Sequence, residues 1–289
     1  MTKEINDIVI DGYQLKRMII KSIESIFQNE DLLNKLNYFP VRDSDTGSNL
    51  KHMFQKIKER IDNVEINHFG KLLEIIKEAA VKNSKGNSGN IFSMFIYGLY
   101  EELKNKEKVT IKDLRNAIKK AKDYAYSSVA NPKEGTMLTI FRVMEEECKK
   151  SKDILTWICR SIKNGLKELK KKRKEINLKK TIDSGGLAVI LFLKGWAEAL
   201  GKKINIKINT ITENENVFTY KGFCVNILAK PKKSLEEIKE KLNSLDSLVI
   251  GEQKEYLKIH FHCKNLEDII PNLENIIEIE KIDIEEINS

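Results

Sequence analysis

The sequence predicts an all-α domain, an antiparallel barrel or bundle of eight helices, followed by a small α+β domain. Three observations carry that expectation. From residue 11 to about residue 200, apolar side chains recur at three- and four-residue steps, the spacing of one helical face. After Gly201 the pattern changes to short alternating runs, the spacing of strands. Only 4 Pro and 14 Gly occur in 289 residues, which argues for long uninterrupted elements rather than a turn-rich sandwich. At roughly 100–200 residues per domain the length suits about two domains. A 41% hydrophobic share is enough to build packed cores and excludes wholesale disorder.

Leu15, Met18, Ile19, Ile23 and Ile26 make the first helical face, and Leu50, Met53, Phe54, Ile57 and Ile61 repeat it. Further helices are predicted near 69–82, 88–104, 110–129, 136–150, 152–174 and 185–200. Thr110 with Asp113 has the form of a capping box, in which the hydroxyl bonds a free N–H of the first turn and the acid reaches back. Ser151 is the expected N-cap before Ile154, Trp157 and Ile158. Short loops between about eight helices imply antiparallel neighbours. Lys203–Thr210 alternates through Ile204, Ile206 and Ile208 and is a predicted strand, with a polar linker at 211–216. Strands follow at Phe223–Leu228, Leu248–Ile250, Tyr256–His262 and Ile277–Ile284, and helices at 234–245 and 265–276. The expected domains are 1–202 and 203–289, with the boundary near 200–216.

The formal net charge of +8 invites a nucleic-acid reading. It hides an asymmetry. From Leu266 to Ser289 there are eight acids (Glu267, Asp268, Glu274, Glu278, Glu280, Asp283, Glu285, Glu286) and one base, Lys281, so the tail carries −7 and residues 1–265 carry +15. The basic run Lys167–Lys180, with Lys170, Lys171, Lys172, Arg173 and Lys174, suits a solvated helix end, where the dipole favours cations. No nucleic-acid partner is expected. No apolar run approaches the ~20 residues that span a bilayer, and the start MTKEINDIVIDGY has no apolar signal region. The cysteines, Cys148, Cys159, Cys224 and Cys263, are widely spaced and are expected to be thiols. The protein is therefore expected to be cytoplasmic and not transmembrane.

Four polar loops interrupt the helical part, each just before a helix. In Phe39-Pro-Val-Arg-Asp43-Ser-Asp45-Thr-Gly-Ser-Asn49, two carboxylates stand two residues apart. Such a pair can share Mg²⁺, which takes one or two carboxylates plus substrate phosphates. The helix start that follows offers free N–H groups to an anion. An ordinary Asx-turn with an N-cap accounts for the same residues. Asn83-Ser-Lys-Gly86-Asn87-Ser88-Gly89 is a second glycine-rich helix start, but not a Walker loop, because GxxxxGK[ST] is absent and no strand precedes it. Asn131-Pro-Lys-Glu-Gly135-Thr136-Met137 and Thr181-Ile-Asp183-Ser-Gly185-Gly186 are the third and fourth. Each alone could be a plain turn. Together, loops from alternate connections of an up-and-down bundle can converge at one end, which favours a nucleotide–metal site.

In the second domain His260 and His262 lie two apart in an alternating strand and so share a face, while Cys263 points the other way. Cys224 could meet them if its strand is a neighbour. One Cys with two His suits tetrahedral Zn²⁺; two strand histidines and a buried thiol are the alternative.

These residues carry a resemblance. Asn37-Tyr-Phe-Pro-Val-Arg-Asp-Ser-Asp-Thr-Gly-Ser-Asn49 resembles the pattern NVFPVPDGDTGTN, Asn83-Ser-Lys-Gly-Asn-Ser-Gly89 resembles GARGNSG, Glu134-Gly-Thr-Met-Leu-Thr139 matches EGTxLT, and Ile182-Asp-Ser-Gly-Gly186 resembles VDAGG. Four motifs in order over about 190 residues look like the ATP-binding subunit of bacterial fatty acid kinase, whose first domain is similar to the dihydroxyacetone kinase L subunit. The resemblance implies an eight-helix barrel with ATP and two Mg²⁺ at its loop end. It implies metal on Asp43 and Asp45, with Asn37 at roughly the place of a third acid. It implies phosphate on Thr46, Gly47, Ser48 and Asn49, with further donors from Asn87, Ser88 and Gly89. Thr136 and Met137 would line the nucleotide pocket, and Asp183, Ser184 and Gly185 would close it. Phosphoryl transfer of this kind works by positioning and charge neutralisation. Arg42 stands for the usual Pro, Ser44 for Gly and Lys85 for Arg, and Asn83 and Ser84 replace small residues. Ser44 puts a Cβ where the loop needs positive φ. Gly222-Phe-Cys224 and Lys258-Ile-His260-Phe-His262 match GYC and KVHxH of the family's middle domain, which implies a zinc-like site at Cys224, His260 and His262.

The expected function is ATP-dependent phosphorylation of a fatty acid carboxylate presented by a separate acyl-binding protein. The alternatives are a catalytically inactive nucleotide-binding adaptor and a dihydroxyacetone-type kinase subunit. In the family a further C-terminal domain follows, so the chain is a natural short form, a fragment, or a partner of a separate C-terminal protein; a homodimer is open.

Overall fold

The computed structural model describes residues 8–37, 44–175, 182–206, 221–253, 256–267 and 269–288. Among these residues, nine helices occupy the first part: α1 (Gly12–Phe27), α2 (Glu30–Lys35), α3 (Thr46–Ile61), α4 (Phe69–Asn83), α5 (Gly86–Leu103), α6 (Ile111–Ser127), α7 (Met137–Lys150), α8 (Ile154–Glu175) and α9 (Ser184–Ala199). Eight are the long helices that the apolar spacing predicts. The short α2 is additional; six residues carry too little periodicity to announce themselves. From α3 onward each helix packs on the next, and α9 packs along α1, which also contacts α3.

An aromatic cluster sits within the largely aliphatic core of the helical part. Phe95 and Phe141 stack with centroids 4.0 Å apart, and Phe92 meets Phe54 at 5.3 Å and Phe192 at 5.1 Å, edge to face. Such pairs add directional preference to apolar burial. Capping sets the helix starts. Asp11 accepts the Gln14 N–H at 2.8 Å, and Thr110 with Asp113 forms the expected capping box. Ser151 does not start α8. It is the C-cap of α7, its hydroxyl donating to the Glu147 carbonyl at 2.8 Å, and Asp153 accepts the Thr156 N–H instead. A carboxylate two residues later fits the N-terminal dipole better than a hydroxyl.

The second part is a four-stranded antiparallel sheet of β1 (Lys221–Pro231), β2 (Asp246–Gln253), β3 (Tyr256–Cys263) and β4 (Ile277–Asn288), in the order β2-β3-β1-β4. Helices α10 (Leu235–Leu242) and α11 (Ile270–Glu274) complete it. Val225, Ile227, Ile259 and Phe261 pack with Ile238, Leu242 and Leu273 on one side. The helix expected over 265–276 shrinks to α11 because Pro271, lacking an N–H, sits in its first turn. The strand expected at Lys203–Thr210 is not formed at 203–206, where Ile204 and Ile206 pack half-buried on the helical core. Residues 207–210 and the linker at 211–216 lie outside the described residues.

The two parts touch along α5, which contacts β1, β2 and β3. Val129, after α6, bridges to Val249; the Ile250 N–H donates to the Ser128 carbonyl at 2.7 Å, and the Ala130 N–H to the Leu248 carbonyl at 3.3 Å. This bridge ends α6 before the predicted residue 129. No helix among the described residues is long and apolar enough to cross a membrane.

Candidate functional site

The polar loops do meet. Asp43 and Arg42 lie outside the described residues. Asp45 takes the N-cap position of α3, but its side chain makes no capping bond. Its carboxylate stands 3.5 Å from the Asn37 amide nitrogen. Ser184, in the first turn of α9, donates to Thr46 Oγ1 at 3.1 Å and lies 3.5 Å from Asn37 Oδ1. The first and fourth motifs therefore form one cluster of Asn37, Asp45, Thr46 and Ser184. Ser44, where the family pattern has Gly, holds φ +53, in the left-handed region.

The cap of α3 comes from α2 instead. Asn34 Oδ1 accepts the N–H groups of Gly47 at 2.7 Å and Ser48 at 3.1 Å, and its Nδ2 donates to Ser48 Oγ at 3.0 Å. A Cβ on Gly47 would stand 2.3 Å from the Glu30 carbonyl, so the glycine is required by the approach of α2. The two N–H groups expected to face phosphate are thus bonded to a side chain that sequence reasoning missed. An asparagine on a separate short helix gives no local signal.

The second loop joins the same cluster through Gly86. It has φ +60, and a Cβ there would lie 2.2 Å from Asn49 Nδ2. Asn49 Nδ2 and Ser88 Oγ are buried with no hydrogen-bond partner among the described residues. A buried unsatisfied donor is costly and is one mark of a place where a ligand binds. Asn87 is half-buried, and Ser88 and Gly89 are buried, in the first turn of α5. Those orphaned donors and the adjacent carboxylate fit a phosphate with its divalent cation.

In the third loop Thr136 caps α7, accepting the Leu138 N–H at 3.3 Å, and Met137 packs 3.1 Å from the place a Gly185 Cβ would take. Behind it, Glu134 accepts from Tyr126 at 2.7 Å, from Arg142 at 3.2 Å and from Thr139. Burial pulls the Glu134 carboxyl up, but its bonds with Thr139, Tyr126 and Arg142 hold it below the ordinary range. In the fourth loop Asp183 caps α9, with Oδ2 accepting the Gly186 N–H at 2.6 Å. Desolvation outweighs the Gly186 and Gly185 N–H groups and pushes its carboxyl up to about 7.

On the sheet, β1 and β3 are neighbours with Cys224 opposite His262 and Asn226 opposite His260. One ligand atom from each of Cys224, His260 and His262 lies within 4.8 Å of the others, and all three residues are buried. Desolvation, with His262 and Lys258 nearby, keeps His260 well below its ordinary pKa; desolvation lowers His262 to about 4, against Asp246. Both are neutral at pH 7, the form that binds metal. His260 Nε2 is buried without a partner among the described residues. The donor set and this orphaned nitrogen fit a zinc-like ion.

The two sites are adjacent. Asn226, on the sheet face turned to α5, accepts the Gly86 N–H at 3.1 Å. Lys85 pairs with Glu285 of β4 at 2.9 Å. Lys258 is buried, and burial with Lys281 nearby pushes its amine down to about 8.

Residues 40–198 match the family model of the DAK2 domain, and residues 220–289 match that of the FakA-like middle domain of fatty acid kinase. An uncharacterized protein of Staphylococcus saprophyticus is 25% identical, over 96% of this chain and 55% of its own length. One of Mycoplasma genitalium is 28% identical over 85% of this chain and 51% of its own, and one of Staphylococcus aureus 24% identical over 88% and 52%. The chain thus spans about half the length of the curated relatives it matches. The crystal structure of the dihydroxyacetone kinase of C. freundii, native form, superposes with TM-score 0.49 at 19% identity over 63% of this chain and 33% of that one.

Proposed function

The chain belongs to the DAK2 family and carries a FakA-like middle domain, and on that premise we propose that it is the nucleotide-binding subunit of a kinase. It transfers the γ-phosphoryl group of ATP to the carboxylate of a fatty acid presented by a separate acyl-binding protein. The helical part is a barrel of eight long helices with its active loops at one end; it extends past the expected boundary at 202 through Ile204 and Ile206, which pack on its core, and the second domain follows.

The observation that supports this most is the convergence of Asn37, Asp45, Thr46 and Ser184 from separate motifs, with Asn49 packed against Gly86. In this proposal Asp43 and Asp45 hold Mg²⁺, with Asn37 bracing Asp45. Magnesium, when bound, neutralises charge on the transferring phosphoryl group. Asn49 and Ser88 supply donors to phosphate oxygens, and Thr46 and Ser184 orient the cluster. Asn87 and Gly89 extend the donor set along the start of α5. Met137 and Gly185 line the wall, Thr136 fixes the start of α7, and Asp183 fixes the start of α9. Gly47 and Ser48 act through the position of α3, since Asn34 already accepts their N–H groups. The middle-domain match supports a fatty acid over a small hydroxy-ketone as substrate. Zn²⁺ at Cys224, His260 and His262 is part of the same proposal.

Incubation with Mg-ATP, a fatty acid and candidate acyl-binding proteins is expected to yield acyl phosphate, trapped as the hydroxamate. Asp45→Ala should lower the rate about 10²-fold or more, in line with loss of one transition-state contact, with the circular dichroism spectrum unchanged. Absence of acyl phosphate with every partner would contradict the fatty acid assignment.

A further inference from the structure

Asn226 contacts both sites with one amide. It is 2% exposed and lies on the sheet face turned to α5. Its Oδ1 accepts the Gly86 N–H at 3.1 Å and Asn90 Nδ2 at 3.4 Å, and stands 3.1 Å from His260 Nδ1. Its Nδ2 donates to Cys224 Sγ at 3.5 Å. An amide oxygen has no proton to give, so His260 Nδ1 carries the hydrogen and Nε2 keeps the lone pair. That Nε2 is buried with no hydrogen-bond partner among the described residues, while Cys224 Sγ stands 3.9 Å from Nδ1. Three donors from two domains share an acceptor with two lone pairs. Asn90 is itself held, donating to the Gly86 carbonyl at 2.8 Å and accepting from Ser84 Oγ at 2.7 Å.

We propose that Asn226 is a positioning residue that couples the Cys224–His260–His262 group to the glycine loop at 83–89, so that a zinc-like divalent ion at the first raises the affinity of the second for a nucleoside triphosphate. The inference rests on the nucleotide reading of that loop. With Nδ1 hydrogen-bonded to Asn226, a cation would be held through Nε2 and would make Nδ1–H a stronger donor. A hydrogen-bond partner on the far nitrogen of a ligating histidine commonly changes metal affinity about 10–100-fold when removed. Asn226 Oδ1 then shifts its share toward His260. The Gly86 N–H, at the start of an 18-residue helix, is released toward a phosphate oxygen. By linkage the nucleotide must raise ion affinity by the same factor.

The test uses the 289-residue chain, stripped with a chelator or loaded with Co²⁺, whose thiolate and d–d absorption bands report the Cys–His group. Calorimetric titration with Mg-ATP is expected to give at least about fivefold tighter binding in the Co²⁺ form, the lower end of usual couplings. ATP should tighten Co²⁺ binding by the same factor. In Asn226→Ala the factor should fall to one while both ligands still bind. Equal ATP affinity in loaded and stripped wild type overturns the coupling and leaves the nucleotide site standing. No ATP binding in either form overturns both. A coupling factor retained in Asn226→Ala, or a Co²⁺ spectrum without a thiolate band, also overturns the proposal. The wild-type comparison decides the coupling even where the variant fails to fold.

Discussion

Ser44 puts a side chain where the backbone is left-handed, φ +53. An L-residue there strains against its own carbonyl by about 1–2 kcal/mol, which glycine avoids. Ser44→Gly is therefore expected to raise the thermal midpoint of the helical domain by a few degrees, about 2–4 °C per kcal/mol at this size. An unchanged or lowered midpoint would show that the serine has local compensation. Asp183 predicts a pH effect. Its ordinary pKa is near 4 in an unfolded chain, and burial raises it to about 7 in the fold. The folded state thus binds the proton more tightly. That stability is fully present below about pH 4 and is lost as pH rises toward 7. Asp183→Asn keeps an oxygen for the Gly186 N–H and removes the titration. Relative to wild type it should be more stable at pH 8 than at pH 5, read from denaturant midpoints. A constant difference would contradict the buried carboxyl. At this scale the sequence displayed the motif residues well, because turns and caps select Asp, Ser, Thr and Gly for local reasons. It did not display Asn34 or Asn226, whose roles depend on partners 13 to 140 residues away.

Among the elements, the long helices were legible because each buries a continuous apolar face, as in Leu50, Met53, Phe54, Ile57 and Ile61. What failed was short or shared. Alternation at Ile204 and Ile206 looks like a strand, but those side chains find the helical core first. The helix α2 had no pattern of its own, yet it supplies the cap that Asp45 does not. Asn34→Ala should cost about 0.5–2 kcal/mol, the usual worth of a helix cap. It should also loosen the start of α3, seen as faster amide exchange at Gly47 and Ser48. Full protection in the variant would mean that the side-chain carbonyl of Asn34 is not their acceptor. On the sheet, the period-two pattern placed His260 and His262 on one face without ambiguity. Only strand order could bring Cys224 to them, and a single sequence does not state which strands are neighbours.

For the molecule as a whole, the net charge of +8 is a sum of opposed parts, and the structure shows one place where they meet. Lys85, at the entry to α5, pairs with Glu285 on the acidic final strand. Exposed pairs of this kind contribute little stability, so its interest is geometric: it lies beside the Gly86–Asn226 bond that joins the domains. The charge asymmetry thus accompanies a domain joint, and a nucleic-acid surface is not required to explain it. The central claim is that loops far apart in the chain form one site for Mg-ATP. Calorimetric titration of Mg-ATP into wild type and Asp45→Ala tests it most directly. The account predicts one saturable site in the wild type and binding weakened about tenfold or more in the variant, a loss of ~1.4 kcal/mol or above. No binding by the wild type, or equal affinity in the two proteins, would contradict it.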